Sequence, residues 1–225
     1  MSKIYSIRKG LSINLKGKAE KILKGEINSS TYSLKPTDYK SFVPKLVLKS
    51  GNPVKRGETV FYDKYNPEVC FVSPVSGTIK EVVRGDKRKI LEVIIQNDGK
   101  DDFIKHDVTN FLELERKEIV EVLLKAGIWP FLNQRPYGII PRKDDKPRDI
   151  FISFYDSSPL AADIDYLLKD KKEEINLALK LLAKLTDANV YLNFPIDSEV
   201  EKLIDDKSNY KINYFKGKHP AGLVG

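Results

Sequence analysis

The residues best suited to chemistry stand in one short stretch, residues 126–138, with the sequence AGIWPFLNQRPYG. It contains the only tryptophan of the chain, Trp129, followed by Phe131, Arg135 and Tyr137. Aromatic rings can line a pocket for an apolar ring, and an arginine or tyrosine beside them can donate hydrogen bonds to its polar edge. The same residue types are also favoured in packed cores and at subunit contacts. The stretch is therefore a ligand loop, a core plug between a helix and a sheet, or an interface.

Other nucleophiles and metal ligands are few and scattered. The single cysteine, Cys70, cannot form a disulfide within the chain, and we predict that it is a small buried hydrophobe in a strand. The two histidines, His106 and His219, lie far apart in the sequence, which argues against a zinc site. His219 follows a predicted strand but stands next to a proline, so we predict a turn residue. No residue is predicted to be catalytic or to bind a metal.

Positive charge is concentrated in the first part of the chain. Residues 1–100 hold 20 Lys and Arg against 10 Asp and Glu, while the whole chain of 225 residues holds 39 against 32. This asymmetry predicts either docking on an acidic or membrane-bound partner or simple solubility. No nucleic-acid motif accompanies the lysines, so we predict no nucleic acid partner. Neither a signal peptide nor a run of 18 apolar residues occurs, which predicts a soluble cytoplasmic protein.

The first region, residues 1–108, is predicted to be all-β. Residues 45–64 and 68–98 alternate apolar and polar residues around Gly and Pro turns, as do the short strands of a small barrel or sandwich. The two halves resemble a biotinyl/lipoyl-type barrel-sandwich hybrid. Carrier domains of that class attach their cofactor to a lysine at the hairpin tip. Lys64, in the tip YDKYNPEV, lacks the small or sulfur-containing neighbours of an attachment site, so we predict a solvated turn residue.

The second region, residues 109–225, changes to helical spacing alternating with strands. This pattern predicts a Rossmann-like, doubly wound α/β domain with right-handed crossovers. The apolar run at residues 149–154 is typical of a strand buried on both faces. The other predicted elements are helices at 115–127, 171–185 and near 197–204, and strands at 189–194 and 210–215.

The two longer helices have predicted inner faces. In the first helix, Gly127 is suited to the position just after the helix end, because glycine readily adopts the left-handed conformation found there. The predicted inner residues are Ile119, Val122, Leu123 and Ala126 in the first helix, and Ile175, Ala178, Leu179, Leu182 and Leu185 in the second.

Three loops follow the predicted parallel strands, at residues 155–163, 195–197 and 216–222. An open α/β sheet binds ligands at this edge. None of the loops has a glycine-rich phosphate-binding motif. Asp156 and Ser157 are either polar contacts of a ligand or the capping residues of the next helix.

Several motifs together carry a family resemblance. They look like the N-terminal half of the A subunit of the bacterial sodium-translocating NADH:quinone oxidoreductase, and they occur in that family's order over nearly the whole chain. Members of the family are about twice this long, and the sequence stops at Gly225 inside a family motif, so we expect a truncated chain. The motifs are IRKGLSINLKGKAE, FVSPVSGTIKEVVRGDKRKILEVII, GIWPFLNQRPYGIIP, SPLAAD and GKHPAGLVG.

The resemblance implies a function for the whole complex. Such a complex oxidises NADH, passes electrons through flavins and an iron–sulfur centre in other subunits to ubiquinone, and moves Na⁺ outward across the inner membrane. The A subunit would be peripheral, on the cytoplasmic face, with the other subunits as its partners. We expect the isolated chain to be inactive.

The family's relatives, the C subunit of the Rnf complex and the flavin-bearing subunit of complex I, carry a glycine-rich loop where this chain has residues 127–138. Trp129, Pro130 and Phe131 would fill the space that glycines leave for a flavin phosphate, and proline removes an N–H donor. We therefore expect no flavin in this chain. For Trp129 we favour a core plug. The alternatives are that it lines a quinone site with Phe131 and Arg135 or lies at a subunit contact. Rival functions are a periplasmic adaptor and an FMN-binding subunit.

Overall fold

The computed structural model describes residues 2–106 and 110–222 and divides the chain into two compact units. One unit is continuous and comprises residues 25–145. The other is discontinuous, with residues 1–24 joined to residues 146–225. The predicted domain boundary between residues 108 and 109 lies outside the described residues, as does Gly225.

The described part of the chain contains eleven strands and three α-helices, together with several short 3₁₀ turns. The helices are α1 (Arg116–Lys125), α2 (Ile164–Leu168) and α3 (Lys172–Ala183). The strands are β1 (Lys3–Ile7), β2 (Thr31–Leu34), β3 (Pro44–Leu46), β4 (Pro53–Val54), β5 (Thr59–Asp63), β6 (Cys70–Val72), β7 (Gly77–Arg84), β8 (Ile90–Asn97), β9 (Asp149–Ser153), β10 (Asn189–Pro195) and β11 (Lys211–Gly217).

The unit of residues 25–145, called the barrel unit below, contains two antiparallel sheets. Their strand orders are β2-β8-β7-β4 and β3-β5-β6. Alternation along the strands directs apolar side chains inward, which removes them from water and provides the main favourable free energy of folding. Gly77 is required at the start of β7, because a Cβ there would lie 1.8 Å from the carbonyl oxygen of Gln96. The buried residues include Val60, Phe61, Val69, Phe71, Ile79, Val93 and Ile95.

The other unit, called the α/β unit, has a four-stranded parallel sheet with the order β1-β11-β10-β9. One face of this sheet packs on a core that contains residues of α2, α3 and the 3₁₀ turn Val200–Leu203. Asp163 is the N-cap of α2, and its carboxylate accepts a hydrogen bond from the backbone N–H of Tyr166 at 2.9 Å. The buried core residues are Ile175, Leu179, Val190, Leu192, Phe194, Val200 and Ile204.

The predicted fold class is confirmed, since a barrel-sandwich region and an α/β region are both present, but strand β1 lies elsewhere than predicted. It belongs to the all-β region 1–108 by sequence, yet it pairs in parallel with β11, from Lys3 beside Asn213 to Ile7 beside Gly217. The alternation of a short strand indicates how it is exposed, and it does not indicate which distant strand pairs with it.

Two burial predictions in the α/β unit are wrong in detail. The strand at residues 149–154 is predicted to be buried on both faces, but β9 is an edge strand and the side chain of Phe151 is 57% exposed. In α3, Ala178 is exposed, while Leu181, which the predicted stripe omits, is buried. The neighbours that cover a helix or strand, and not its own period, decide these positions.

Helix α1 shows a similar shift of its buried face. The structure buries Ile119, Val120 and Leu124, whereas Val122, Leu123 and Ala126 are only half-buried. The predicted inner stripe is therefore correct at Ile119 and rotated elsewhere.

Candidate functional site

The candidate site is built on the end of helix α1, where the chain turns into the aromatic stretch. Gly127 adopts a φ of +67° at the position predicted for it. The backbone N–H of Gly127 donates to Leu124 O at 3.1 Å, and that of Ile128 donates to Leu123 O at 2.9 Å. These two bonds form the Schellman motif, which satisfies the last carbonyls of a helix. A Cβ on Gly127 would lie 2.6 Å from Cγ2 of Val72, so this helix end packs directly against β6.

Trp129 lies in the 3₁₀ turn Trp129–Phe131, which contacts both α1 and β6. Its side chain is 3% exposed, and its indole Nε1 donates a hydrogen bond to Pro141 O at 2.8 Å. Pro130 is also buried. A buried indole whose N–H has a partner is a stable core element. Trp129 is thus packed between helix and sheet, as in the core-plug alternative.

Several backbone N–H groups of this stretch donate to carbonyls of the stretch itself or of its immediate neighbours. Phe131 N donates to Ile128 O, and Leu132 N donates to Trp129 O, each at 3.0 Å. Further along, Gln134 N donates to Ile139 O at 2.8 Å, and Gly138 N donates to Gln134 O at 2.9 Å. A phosphate-binding loop instead directs free N–H groups at its ligand. This loop offers a phosphate little to bind.

The structure separates the four aromatic and basic residues that the sequence places together. Trp129 is buried, whereas Phe131 is 75% exposed, Tyr137 is 69% exposed and Arg135 is also exposed. Among the four, Tyr137 lines a cleft. These four residues therefore do not line one common pocket.

That cleft has a volume of about 450 Å³ and lies within the barrel unit, between the β5–β6 hairpin tip and residues 134–145. Two rings, Tyr65 and Tyr137, line it together with Lys40 and Arg142. Neither of these two cations forms an ion pair with any carboxylate in the described ranges. The cleft also contains Phe42, Ile139 and Ile140. Such a lining suits an apolar ring with hydrogen-bond acceptors at its edge.

Sequence reasoning identifies only Tyr137 among these lining residues. Lys40 and Phe42 come from one segment and Arg142 from another, and no local motif signals that these segments meet. The carboxylate that organises this edge is Asp63, which is 5% exposed. It accepts hydrogen bonds from Asn66 Nδ2 at 2.7 Å and from the backbone N–H of Tyr65 at 3.3 Å, and so holds the hairpin tip in shape.

Lys64 lies in this hairpin tip and is exposed, as predicted for a turn residue. Its backbone N–H donates to Val43 O at 2.8 Å, and its ammonium lies 5.6 Å from the centroid of the Tyr65 ring. These contacts fix the backbone of the lysine. The absence of a covalently attached cofactor stays a prediction.

Cys70 is half-buried in β6, not fully buried as predicted. Its thiol lies 3.8 Å from Pro67 O, and burial raises the pKa of the thiol above its usual value. The cysteine is therefore a protonated thiol at neutral pH and a weak nucleophile. In the described ranges, no group of three or more His, Cys, Asp or Glu side chains is placed to hold a metal ion.

The carboxyl edge of the parallel sheet brings two predicted residues together. Ser157 Oγ lies 3.1 Å from Nδ1 of His219, after β9 and β11 respectively. The Ser158 side chain and then its backbone N–H, which donates to Asp156 at 2.8 Å, lower the pKa of the Asp156 carboxyl. Neither Asp156 nor Ser157 caps α2, because Asp163 does. His219 lies in a turn, as predicted, and its carbonyl accepts from Leu11 N at 3.1 Å.

Comparison with known proteins assigns this architecture to a family. Residues 5–98 match the model of the NqrA N-terminal barrel-sandwich hybrid domain, and residues 114–225 match that of the NqrA second alpha/beta domain. No helix among the described residues is long and apolar enough to cross a membrane.

Full-length relatives agree with both family models. The A subunit of the Na(+)-translocating NADH-quinone reductase of Psychromonas ingrahamii is 34% identical over 224 residues, and that of Serratia proteamaculans is 35% identical over 227. The corresponding protein of Neisseria meningitidis serogroup C is 32% identical over 224 residues. Each alignment covers 99% of this chain and 50% of the relative, so the chain spans about half the length of these relatives. The chain therefore belongs to the family of the A subunit of the Na⁺-translocating NADH-quinone reductase.

Proposed function

We propose that this chain acts as part of the cytoplasmic, peripheral A subunit of a Na⁺-translocating NADH:ubiquinone oxidoreductase, where it supports quinone reduction coupled to Na⁺ export and binds no flavin itself. The observation that carries this proposal is the match of both units, over 99% of the chain, to proteins of that name. Its partners are the other subunits, which hold the flavins and the iron–sulfur centre. The chain provides a docking platform for them.

The packing of residues 127–138 supports the absence of flavin. Trp129 and Pro130 occupy the space beside the end of α1 with buried side chains. Several N–H groups that would face a phosphate are bonded to carbonyls of the same loop. A flavin phosphate would have to displace a buried ring and break these bonds, each of which costs free energy.

The cleft of the barrel unit supports a quinone-contacting role. A quinone ring is apolar and neutral, and its carbonyls accept hydrogen bonds. Tyr137 and Tyr65 offer ring faces and hydroxyl donors, and Lys40 and Arg142 offer charged donors to a carbonyl or to a reduced, anionic quinol oxygen. The quinone contact thus belongs to Tyr137 and its neighbours, while Trp129 only supports the loop.

A photoreactive ubiquinone analogue on the purified complex tests the quinone contact. We expect labelled peptides from this chain to include the residues around Tyr137, and Tyr137→Ala to reduce that labelling severalfold. Phe131→Ala is the matched control, because Phe131 is an equally exposed ring in the same loop that does not line the cleft. Labelling confined to other subunits would remove this chain from the quinone site.

A visible absorption spectrum tests the flavin statement independently. The full-length protein, purified alone, is expected to lack the flavin bands, and extraction with acid is expected to release no FMN. Stoichiometric FMN would instead favour the rival electron-transfer function. Protease accessibility in inside-out membrane vesicles tests the location, since a cytoplasmic protein is cleaved there and is protected in right-side-out vesicles.

A further inference from the structure

The tip of the β7–β8 hairpin concentrates positive charge on a strained turn. Residues 84–89 read RGDKRK, so four of the six are Lys or Arg, and all four of these are exposed. The tip cations, as we call Arg84, Lys87, Arg88 and Lys89, form no ion pair with any carboxylate in the part of the chain that the structure describes. Their charge is available to an external anion.

The backbone of this turn is unusual for the residues it contains. Lys89 N donates to Asp86 O at 3.1 Å, which closes a turn with Lys87 and Arg88 at its centre. Both central residues have positive φ, +52° for Lys87 and +61° for Arg88. This is the pattern of a type I′ hairpin turn, whose central positions favour Asn and Gly. Long side chains with a Cβ are strained there.

The strain is not explained by contacts within the turn. Within the described ranges, the one side-chain hydrogen bond of the tip runs from Arg84 Nη1 to Arg88 O at 3.0 Å. Its acceptor is a backbone carbonyl, which any residue at position 88 would supply. Strained backbone is found mainly at sites where a function requires it, so the positive φ values of Lys87 and Arg88 point to a function of this turn. We interpret the strain as the cost of placing two cationic side chains at the centre of the turn.

We propose that the tip cations bind a carboxylate-rich surface of a partner protein. A lipid surface attracts cations by their number and not by their exact placement, so lysines at unstrained positions near the tip would serve it equally well. Two cations held in one fixed turn conformation instead suit a fixed pair of carboxylates, to which Arg can bind in a bidentate manner.

A second observation favours a protein partner over lipid or nucleic acid. Lys89 also lines a cleft of about 460 Å³ whose other walls include Tyr39, Phe42, Pro44 and Tyr65. A partner with acidic residues next to an apolar side chain would engage the tip and this cleft together. If the proposed function is right, on which this inference rests, that partner is another member of the complex.

Zero-length carbodiimide cross-linking of the intact complex in native membranes tests the contact. The reagent joins a lysine to a carboxylate only when the two are in contact. We expect Lys87 or Lys89 to be joined to an Asp or Glu of a different protein of the complex, as read by mass spectrometry of the cross-linked peptides. Cross-links of these lysines that stay within their own polypeptide would overturn the proposal.

The variant Lys87→Asn/Arg88→Gly separates binding from folding. Because it places preferred residues in the turn, we expect the melting temperature of the full-length protein to rise by about 4 °C or more. We also expect the fraction of this variant that stays in the complex to fall at least about tenfold when the NaCl concentration is raised, because two charged contacts are lost. The charge-only variant Lys87→Gln/Arg88→Gln should lose retention without the gain in stability.

The matched control is Lys45→Gln/Lys80→Gln, which removes two exposed strand lysines of the same unit. It should leave retention unchanged. An equal loss in the control would show that only total charge matters, and an unchanged Lys87→Asn/Arg88→Gly complex would also overturn the proposal. Sedimentation with phosphatidylglycerol vesicles and anisotropy of labelled duplex DNA are expected to show no tip-dependent binding, and binding in either arm would assign the tip to that partner instead.

Failure of this inference is distinguishable from failure of the proposed function. If the protein remains in the complex and its tip shows neither cross-links nor a variant effect, this inference fails and the proposed function stands. If the protein purifies with none of the other subunits even in low salt, the proposed function fails.

Discussion

The indole Nε1 of Trp129 lies 2.8 Å from the carbonyl oxygen of Pro141, to which it donates a hydrogen bond. This bond joins the beginning of the aromatic loop to its end, twelve residues later. The loop is thereby held closed around a buried ring. Ile140 and Arg142, on either side of Pro141, line the cleft with Tyr137, so we expect the cleft to depend on this closure.

Replacement of Trp129 tests that dependence. We expect Trp129→Phe to lower the free energy of unfolding by about 1–3 kcal/mol, because it removes a buried hydrogen bond and leaves a cavity. Trp129→Ala should cost about 3–5 kcal/mol. Urea denaturation of the chain measures both. Phe131→Ala, three-quarters exposed, should stay within about 0.5 kcal/mol. Equal effects at the two positions would contradict the core role of Trp129.

Position 127 requires glycine for two reasons, its positive φ and the closeness of the Val72 side chain. Gly127→Ala should lower the free energy of unfolding by more than about 2 kcal/mol, because alanine is strained at φ +67° and its Cβ would lie 2.6 Å from Val72. Gly99→Ala is the matched control, since φ is +69° there and nothing lies within 4 Å of the added carbon. It should cost about 1–2 kcal/mol from strain alone. Thermal denaturation of the two variants measures the difference, and equal losses would mean that Val72 moves aside freely.

Asp163 should make the α/β unit sensitive to acid. The hydrogen bond from Lys21, followed by that from Tyr166 N, lowers the pKa of the Asp163 carboxyl below 3.8. A lowered pKa stabilises the fold above the unfolded value, and this contribution is lost as the pH falls through the folded pKa. We expect Asp163→Ala to cost about 1 kcal/mol at pH 7, the usual worth of an N-cap, and to cost progressively less as the pH falls below the ordinary pKa of an aspartate. Unfolding curves across that range measure this, and a loss independent of pH would contradict it.

Asn193 and Asn213 form a buried side-chain pair between neighbouring strands. The amide Nδ2 of Asn213 donates to Oδ1 of Asn193 at 3.0 Å, and each residue is 8% exposed. We expect either single Ala variant to lower the free energy of unfolding by about 1–3 kcal/mol, since the remaining amide loses a buried partner. The double variant should cost clearly less than the sum. Additive losses in a double-mutant cycle would show that the two amides act independently.

The sequence predicts correctly those features of the structure that depend on neighbouring residues in the chain. The change from short alternating strands to helical spacing predicts both fold classes, and the position of Gly127 is predicted correctly because a helix end has its own sequence signal. The buried face of α1 is displaced from its predicted position because it depends on what packs against the helix. The predicted all-β region, residues 1–108, includes β1, but the structure pairs β1 with β11, which is almost the whole chain away and has no local signal in the sequence.

The candidate cleft shows the same limit. Tyr137 is identifiable because it stands in an unusual aromatic stretch. Lys40 meets it only through the folding of a distant segment, and Arg142 stands close to it in the sequence, but neither cation has a distinctive neighbourhood there. Lys87 and Arg88 look like ordinary surface residues of a hairpin, and only their positive φ values mark them as unusual.

The pairing of β1 with β11 sets an order of events during synthesis on the ribosome. β1 ends at Ile7 and β11 begins at Lys211, so roughly 200 residues must be added before the two can meet, which takes on the order of 10–40 s at about 5–20 residues per second. The strands of both antiparallel sheets lie within residues 31–97, so their pairing needs no later segment and can occur while translation continues. In the nascent chain, β1 therefore stays without its partner strand until β11 has been synthesised.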